Sequence, residues 1–110
     1  MAKRSIPKNV KEEVIKIIER FDRNNLENLD CNHIPIFKRN YLYIDRRNGV
    51  SPSEPICRLK YTGDMKEWVF SIFRYSRMEY DPEEDFFPGN EYVDGTIEGA
   101  LKAGMRAYHL

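Results

Sequence analysis

The sequence lacks any long apolar run. A helix that crosses a bilayer needs about 18 or more consecutive apolar residues, and no segment of the 110-residue chain approaches that length. The opening residues, Met1 to Pro7, also lack the apolar stretch of a signal peptide. We therefore expect a cytoplasmic protein that does not associate with membranes.

Cysteine and histidine are scarce, with two residues of each type. Without an export signal, Cys31 and Cys57 are expected to be free thiols. Cys31 and His33 form a Cys-x-His pair, but a structural zinc site needs four ligands. The remaining candidates, Cys57 and His109, do not fall at a recognisable zinc spacing. The sequence therefore predicts neither a metal site nor another cofactor.

Motifs for catalysis are absent as well. The chain contains no Gly-rich phosphate loop and no nucleophile elbow. Asp81, Glu83 and Asp85 have the spacing that opens a calcium loop, but Phe86 stands where that loop requires glycine and Tyr92 where it requires glutamate. A surface acidic loop is the better interpretation, and we expect no catalytic activity.

An excess of charge of one sign is also missing, because 18 basic residues balance 18 acidic ones. The two signs are unevenly distributed. Residues 1–60 hold thirteen Lys or Arg and eight Asp or Glu, a balance of +5, and residues 61–110 hold five and ten, a balance of −5. Nucleic-acid-binding domains usually carry a net basic charge, so a nucleic-acid partner is disfavoured.

The composition is that of a folded domain, with 41% hydrophobic and 13% aromatic residues. A chain of this length can bury one core without disulfides or metals. We expect a single domain over residues 1–110, with residues 1–7 flexible. Its centre is predicted at Trp68 to Tyr75, a strand with apolar residues on both faces.

Two helices are predicted, one near each end of the chain. Asn9 and Glu12 resemble a capping box, and apolar residues then recur at helical spacing, so the first helix is predicted over about Lys8 to Asp22. The second helix has Thr96 as its N-cap. Its apolar stripe consists of Ile97, Leu101, Met105 and Tyr108.

Three strands are predicted between the helices: Ile34 to Arg46, Ile56 to Tyr61 and Trp68 to Tyr75. The short connection after Tyr61 indicates that the last two pair antiparallel. We predict an α+β domain with an N-terminal helix, a three-stranded antiparallel sheet and a C-terminal helix packed on the sheet. Phe86 and Phe87 are expected to fold onto the sheet and cover the second face of the Trp68 strand.

Several short motifs carry a resemblance. They are Ile-Cys-Arg-Leu-Lys-Tyr at 56–61, Trp68-x-Phe70, Tyr75-Ser76, Tyr80-Asp81-Pro82, Phe87-Pro88-Gly89 and Gly-Thr-Ile-Glu-Gly-Ala-Leu at 95–101. Together they resemble a family of small uncharacterised prokaryotic proteins, a domain of unknown function, over about residues 36–108. The resemblance implies no activity. In element order alone, the chain is similar to double-stranded-RNA-binding domains and to phage-integrase arm domains.

Two classes of function remain open, and both use side chains of the predicted sheet. The first is a protein-interaction module that binds another protein or a second copy through exposed tyrosines beside charges, such as Tyr41, Tyr43, Tyr80 and Tyr92. The second is a nucleic-acid-binding domain that uses the basic sheet face, with tyrosines as stacking platforms. A third interpretation assigns the tyrosines only to covering the core. The candidate binding residues are Tyr41, Tyr43, Arg46, Arg47, Arg58 and Lys60.

Arg46, Arg47 and Arg58 flank the Asn48-Gly49 loop. We expect them to form one basic patch for an acidic partner, with another protein favoured.

Overall fold

The computed structural model describes residues 5–27, 29–83 and 86–108. The chain forms two α-helices, a five-stranded antiparallel sheet and a short 3-10 helix, Asn90–Tyr92. The bounds are α1 Lys8–Asn25, β1 Cys31–Lys38, β2 Tyr41–Asn48, β3 Glu54–Lys60, β4 Val69–Arg74, β5 Glu79–Asp81 and α2 Ile97–Ala107. The predicted α+β class is confirmed, but the expected three strands are five.

The sheet is a simple meander in the order β1-β2-β3-β4-β5. Each neighbouring pair is antiparallel, and the predicted pairing of β3 with β4 is confirmed. The apolar strand β4 is not at an edge, because β5 pairs with its outer side. β5 was not predicted, since three residues are too few to show an alternating pattern.

The predicted strand from Ile34 to Arg46 is a hairpin instead of one strand. Arg39 adopts a positive φ of 56°, and Lys38 pairs directly with Tyr41 across the turn. Asn40 completes this two-residue connection. Asn is a frequent turn residue, but the turn contains no glycine, which is the residue that usually signals a two-residue hairpin connection.

α1 begins at Lys8 as predicted, but its N-cap and its C-terminal end differ from the prediction. Its N-cap is Pro7, without a side-chain hydrogen bond, so the expected capping box at Asn9 is wrong. At the other end the helix continues to Asn25, whose side-chain amide donates to the Phe21 carbonyl at 2.8 Å. The Asn25 side chain thus folds back onto the last turn of its own helix.

The segment before α1 is packed as far as the structure describes it. Ile6 is 2% exposed, and its backbone amide donates to the Arg39 carbonyl at 3.0 Å. The flexible segment expected over residues 1–7 therefore does not include Ile6. Residues 1–4 lie outside the described part of the chain.

Both helices pack on one face of the sheet, where the core lies. From the sheet the core receives Leu42, Ile44 and Leu59, which are at most 1% exposed. α2 begins as predicted, with the Thr96 hydroxyl accepting from the Gly99 amide at 3.0 Å. The helices and the segments beside them contribute Ile6, Val10, Val14, Ile18, Phe21, Trp68, Ile97, Ala100 and Leu101.

A register shift between Ile44 and Asp45 bends β3 near its start. Ile44 pairs with Cys57 and Asp45 pairs with Pro55, so Ile56 is an additional residue, a β-bulge. Ile56 is buried beneath α2, where a Cβ on Gly104 would lie 2.6 Å from its Cγ2. The bulge thus brings the sheet close to the helix.

The phenylalanine pair packs differently from the expectation. Phe87 stacks on Phe70 at 5.9 Å between ring centroids, while Phe86 is 91% exposed. Phe70 pairs with Leu59, so Phe87 lies on the core side of the sheet and does not cover the second face. Over β4 that second face is covered by the ring of Tyr80, which packs against Phe73 at 5.0 Å.

Candidate binding surface on the open sheet face

The strand alternation separates a buried and an outward face of the sheet. In β2, Leu42 and Ile44 point into the core, and Tyr41 and Tyr43 point away from the helices, half-buried. We call the outward side the open sheet face. Its central side chains are Lys38, Tyr41, Tyr43, Arg58, Lys60 and Tyr80.

Arg58 is the centre of this face. Its guanidinium carbon lies 4.7 Å from the ring centroid of Tyr41 and 5.3 Å from that of Tyr80. Tyr80 also packs edge-on against Tyr43, at 5.4 Å between centroids. The guanidinium is therefore in cation–π contact with two rings, and its N–H groups are the hydrogen-bond donors that this cluster offers to an acceptor.

Lysines flank the aromatic cluster on the same face. Lys38 pairs with Tyr41 across the β1–β2 hairpin, and Tyr41 pairs with Lys60 on β3, so the two lysines stand on either side of one tyrosine. The Lys38 ammonium lies 5.9 Å from the Tyr43 centroid. The centre of the open sheet face is therefore basic and aromatic.

Asp45 is an acidic side chain of the open sheet face. Burial raises its pKa, although a hydrogen bond from the Ser53 hydroxyl opposes the rise. Burial, followed by the charge of Asp45, raises the pKa of Tyr80 to about 12. Tyr80 therefore stays neutral at physiological pH and presents a hydroxyl group rather than a charge.

Four of the six predicted binding residues come together on this face: Tyr41, Tyr43, Arg58 and Lys60. Arg47 is exposed and lies at the far end of β2, on the same side as Tyr43. Tyr80 was named from the sequence only as one of several exposed tyrosines. Its place beside Arg58 depends on β5, for which the sequence gives no signal.

Arg46 lies on the opposite face, so the single patch expected from Arg46, Arg47 and Arg58 is wrong. Arg46 is 7% exposed, and its Nη2 donates to the Tyr108 carbonyl at 2.6 Å. Consecutive residues of a strand point to opposite faces, and this separates Arg46 from Arg47 despite their adjacency.

The Cys-x-His pair is used for local structure. His33 Nδ1 lies 2.7 Å from Asp22 Oδ1, and the His33 backbone amide donates to Asp22 Oδ2 at 2.8 Å. The Cys31 thiol donates to Asn48 Oδ1 at 3.0 Å, and burial raises its pKa. Both cysteines are free, and Cys57 is fully buried.

No group of three metal-binding side chains forms within residues 5–27, 29–83 and 86–108. His109 and Asp85, two of the residues considered for metal binding, lie outside those ranges. Over the same ranges, no helix has the length and apolar character needed to span a membrane.

Comparison of the chain with protein-family models, curated proteins and solved structures finds no match. The resemblance of the sequence motifs to a prokaryotic family therefore stays a prediction.

Proposed function

We propose that this protein is a protein-interaction module without catalytic activity, which binds an acidic segment of a partner protein across the open sheet face. The observation that carries this proposal is Arg58, which is in cation–π contact with Tyr41 and Tyr80 on a face that the helices leave open. Arginine and tyrosine are among the residues that most often anchor protein interfaces.

The cluster around Arg58 is pre-organised for binding. The rings of Tyr41, Tyr43 and Tyr80 hold one another and the guanidinium in contact before a partner arrives. Ordering a flexible side chain on binding costs about 0.5–1.5 kcal/mol, so an arginine already fixed by its neighbours retains more of its interaction energy. This favours binding over a purely structural role.

Charge complementarity favours an acidic occupant. Lys38 and Lys60 flank Tyr41, and Arg58 lies beside it, while Asp45 lies further along β2. Complementary charge steers association and fixes register. A segment with glutamate or aspartate side chains would meet the N–H groups of Arg58, and its apolar side chains would contact the tyrosine rings.

The size of the face favours a segment over a large rigid surface. The five strands are three to eight residues long and hold 32 residues together. At about 3.3 Å per residue and about 4.8 Å between strands, they form a face of roughly 500 Å². A standard interface buries about 800 Å² on each partner. An extended or helical peptide from an acidic region fits the available area better than a folded domain does.

Single-stranded nucleic acid is the alternative occupant, and ring packing argues against it. Base stacking needs aromatic rings with a free flat face. Here Arg58 occupies a face of Tyr41, and Tyr43 and Tyr80 pack edge to face at an interplanar angle of 66°. The neutral net charge of the chain also gives phosphate little long-range attraction.

The test is a titration of isotope-labelled protein with short peptides, followed by nuclear magnetic resonance. One peptide alternates glutamate with leucine, and its matched control alternates lysine with leucine. The variants are Arg58→Gln and Lys60→Gln, and Arg20→Gln on the exposed side of α1 is the control. A single-stranded oligonucleotide is titrated in parallel at low and high salt.

We expect the acidic peptide to shift the resonances of Tyr41, Tyr43 and Arg58, and we expect Arg58→Gln to weaken binding about ten-fold or more while Arg20→Gln leaves it unchanged. Equal binding of both peptides would contradict the proposal. So would a tighter, steeply salt-dependent complex with the oligonucleotide, which would assign the face to nucleic acid. A concentration-dependent dimer that buries the same residues would make a second copy the occupant.

A further inference from the structure

Arg46 is a buried cation, and its hydrogen-bond partners within the described part of the chain carry no formal charge. Its Nη2 donates to the Tyr108 carbonyl at 2.6 Å, and its Nη1 lies 3.6 Å from the Met105 sulfur. Among the ion pairs of the described residues, none joins Arg46 to a carboxylate within 4 Å. Buried charges in proteins are normally paired with an opposite charge, so the Arg46 guanidinium favours an anionic group of a ligand beside it.

Arg46 borders a cleft at the end of the sheet. The cleft has a volume of about 430 Å³. It lies between the last residues of β2, the first residues of β3 and the C-terminal end of α2. Sites for small molecules span about 300–1,000 Å³, so the volume is sufficient for one small ligand. Besides Arg46, the lining includes Asn48, Glu54, Tyr75 and Tyr108.

The aromatic walls of the cleft are fixed in place. The rings of Tyr75 and Tyr108 pack edge to face, 5.3 Å between centroids. The Tyr75 hydroxyl donates to the Pro55 carbonyl at 2.6 Å, and the Tyr108 hydroxyl donates to the Phe73 carbonyl. A ligand would therefore enter a preformed cleft with an apolar wall and a cation beside it.

Glu54 limits which anion can bind there. Glu54 lies directly opposite Arg46 in the pairing of β2 with β3. Its side chain is exposed and lines the same cleft. Burial first, and then the negative charge of Glu54, raises the pKa of Tyr75 to about 12, and both residues line the cleft. A simple anion at Arg46 would be repelled by Glu54, whereas a ligand that also carries a positive charge would satisfy both.

We infer that this cleft binds a small zwitterion of the free amino acid class, with its carboxylate on Arg46 and its ammonium group on Glu54. Asn48 accepts from the Cys31 thiol through its Oδ1, which leaves its side-chain N–H groups as further donors to the ligand carboxylate. A side chain with apolar or aromatic character would contact Tyr75 and Tyr108. The site is separate from the open sheet face and does not depend on the function proposed for it.

The test uses three ligands that differ only in their charged groups: phenylalanine, phenethylamine without the carboxylate, and hydrocinnamate without the amine. Binding to the full chain is measured by isothermal titration calorimetry. We expect phenylalanine to bind at least about ten-fold more tightly than either single-charge analogue, a difference of about 1.4 kcal/mol. Equal affinities of phenylalanine and hydrocinnamate, or no binding of any of the three, would overturn the inference.

Two variants assign each charge to its residue. Glu54→Gln, at an exposed position, should abolish the advantage of phenylalanine over hydrocinnamate, and Arg46→Gln should abolish its advantage over phenethylamine. Arg47→Gln is the matched control, because the adjacent arginine faces away from the cleft. If Arg46→Gln does not fold, the three ligands and Glu54→Gln still decide the question.

The competing explanation is that Arg46 and Glu54 form an ion pair with each other and bind no ligand. In that case the two single variants and the double variant would lower the melting temperature of the ligand-free protein non-additively. A site that holds its charges apart for a ligand should show only weak coupling, because the two charges attract each other without a direct bond. Coupling as strong as that of a direct ion pair would overturn the inference.

Discussion

Asp22 connects the end of α1 to the first strand through both of its carboxylate oxygens. One oxygen bonds the His33 ring at 2.7 Å, and the other accepts from the His33 backbone amide at 2.8 Å. The imidazole is fully buried, and its Nε2 has no hydrogen-bond partner among the described residues. The pair fixes the position of the imidazole between α1 and β1.

Replacing this carboxylate should destabilise the protein. We expect Asp22→Asn to lower the free energy of unfolding by about 1–3 kcal/mol, because it weakens two hydrogen bonds to a charged acceptor at a buried histidine. Urea denaturation measures the change. Glu19→Gln, one turn earlier and exposed on α1, is the matched control with an expected effect below about 0.5 kcal/mol. Equal effects of the two substitutions would show that the Asp22–His33 bonds contribute nothing.

The tyrosines of the sheet make stability sensitive to alkaline pH. Tyr75 and Tyr80 have pKa values raised to about 12, in both cases mainly by burial. A tyrosine in the unfolded chain ionises at about 10. Between these values the folded state retains protons that the unfolded state has lost, so stability is fully present below pH about 10 and falls as pH rises toward 12.

We therefore expect the melting temperature of the protein to fall over this pH range and the fall to be smaller in Tyr80→Phe and in Tyr75→Phe. The comparison is made within each variant, between neutral and alkaline pH, so that any loss of a hydroxyl contact at neutral pH cancels. Variants that lose as much stability as the unaltered protein between these pH values would contradict the assignment.

At the scale of elements, Gly95 joins the loop before α2 to the start of β4. Its φ is 89°, and its carbonyl accepts from the Trp68 amide at 2.9 Å. A Cβ at this position would overlap the Lys66 carbonyl. The position thus requires glycine both for its backbone conformation and for a close approach between two segments.

Gly63 has the first of these two requirements, the backbone conformation, without the second, the close approach. Its φ is 100°, yet no atom lies within 4 Å of the position a Cβ would take. Gly63→Ala should cost about 1–2 kcal/mol for the backbone conformation alone, and Gly95→Ala should cost clearly more, because a backbone atom must also move. Thermal or urea unfolding of the two variants gives the difference. An equal loss at both positions would indicate that the loop relaxes without cost.

The whole molecule depends on Trp68, which occupies the junction between the sheet and the segment before α2. It is 3% exposed and packs against Tyr61 at 4.9 Å between ring centroids. We expect Trp68→Ala to cost about 3–5 kcal/mol, a large part of the 5–15 kcal/mol that holds a typical domain together. Chemical denaturation measures the loss, provided that the variant folds.

The adjacent residue provides the control for Trp68. Val69 is 47% exposed and lies on the open sheet face, so Val69→Ala should cost about 1 kcal/mol or less. If the two substitutions cost the same, Trp68 would not act as a core residue, and its place in the structure would need another explanation.

Much of the architecture was predictable from short-range patterns. The Thr96 cap and the apolar spacing after it predicted α2, and the alternation around Leu59 predicted β3, because a cap and a regular period are local properties of a helix or strand. The same patterns failed at the Arg39–Asn40 turn and at β5. A turn without glycine and a strand of three residues leave no periodic signal, and both are stabilised by pairing with a neighbouring strand.

The sequence by itself determined which residues are apolar, where the two helices lie and that β3 and β4 form a hairpin. It also determined that no strong catalytic motif is present. Only the tertiary structure decided that Arg58 meets Tyr80, which lies on a strand the sequence did not predict, and that Arg46 faces a cleft with Glu54. Those contacts depend on strand register, and register is set by the core face of the whole sheet, since a shift of one residue would exchange its two faces.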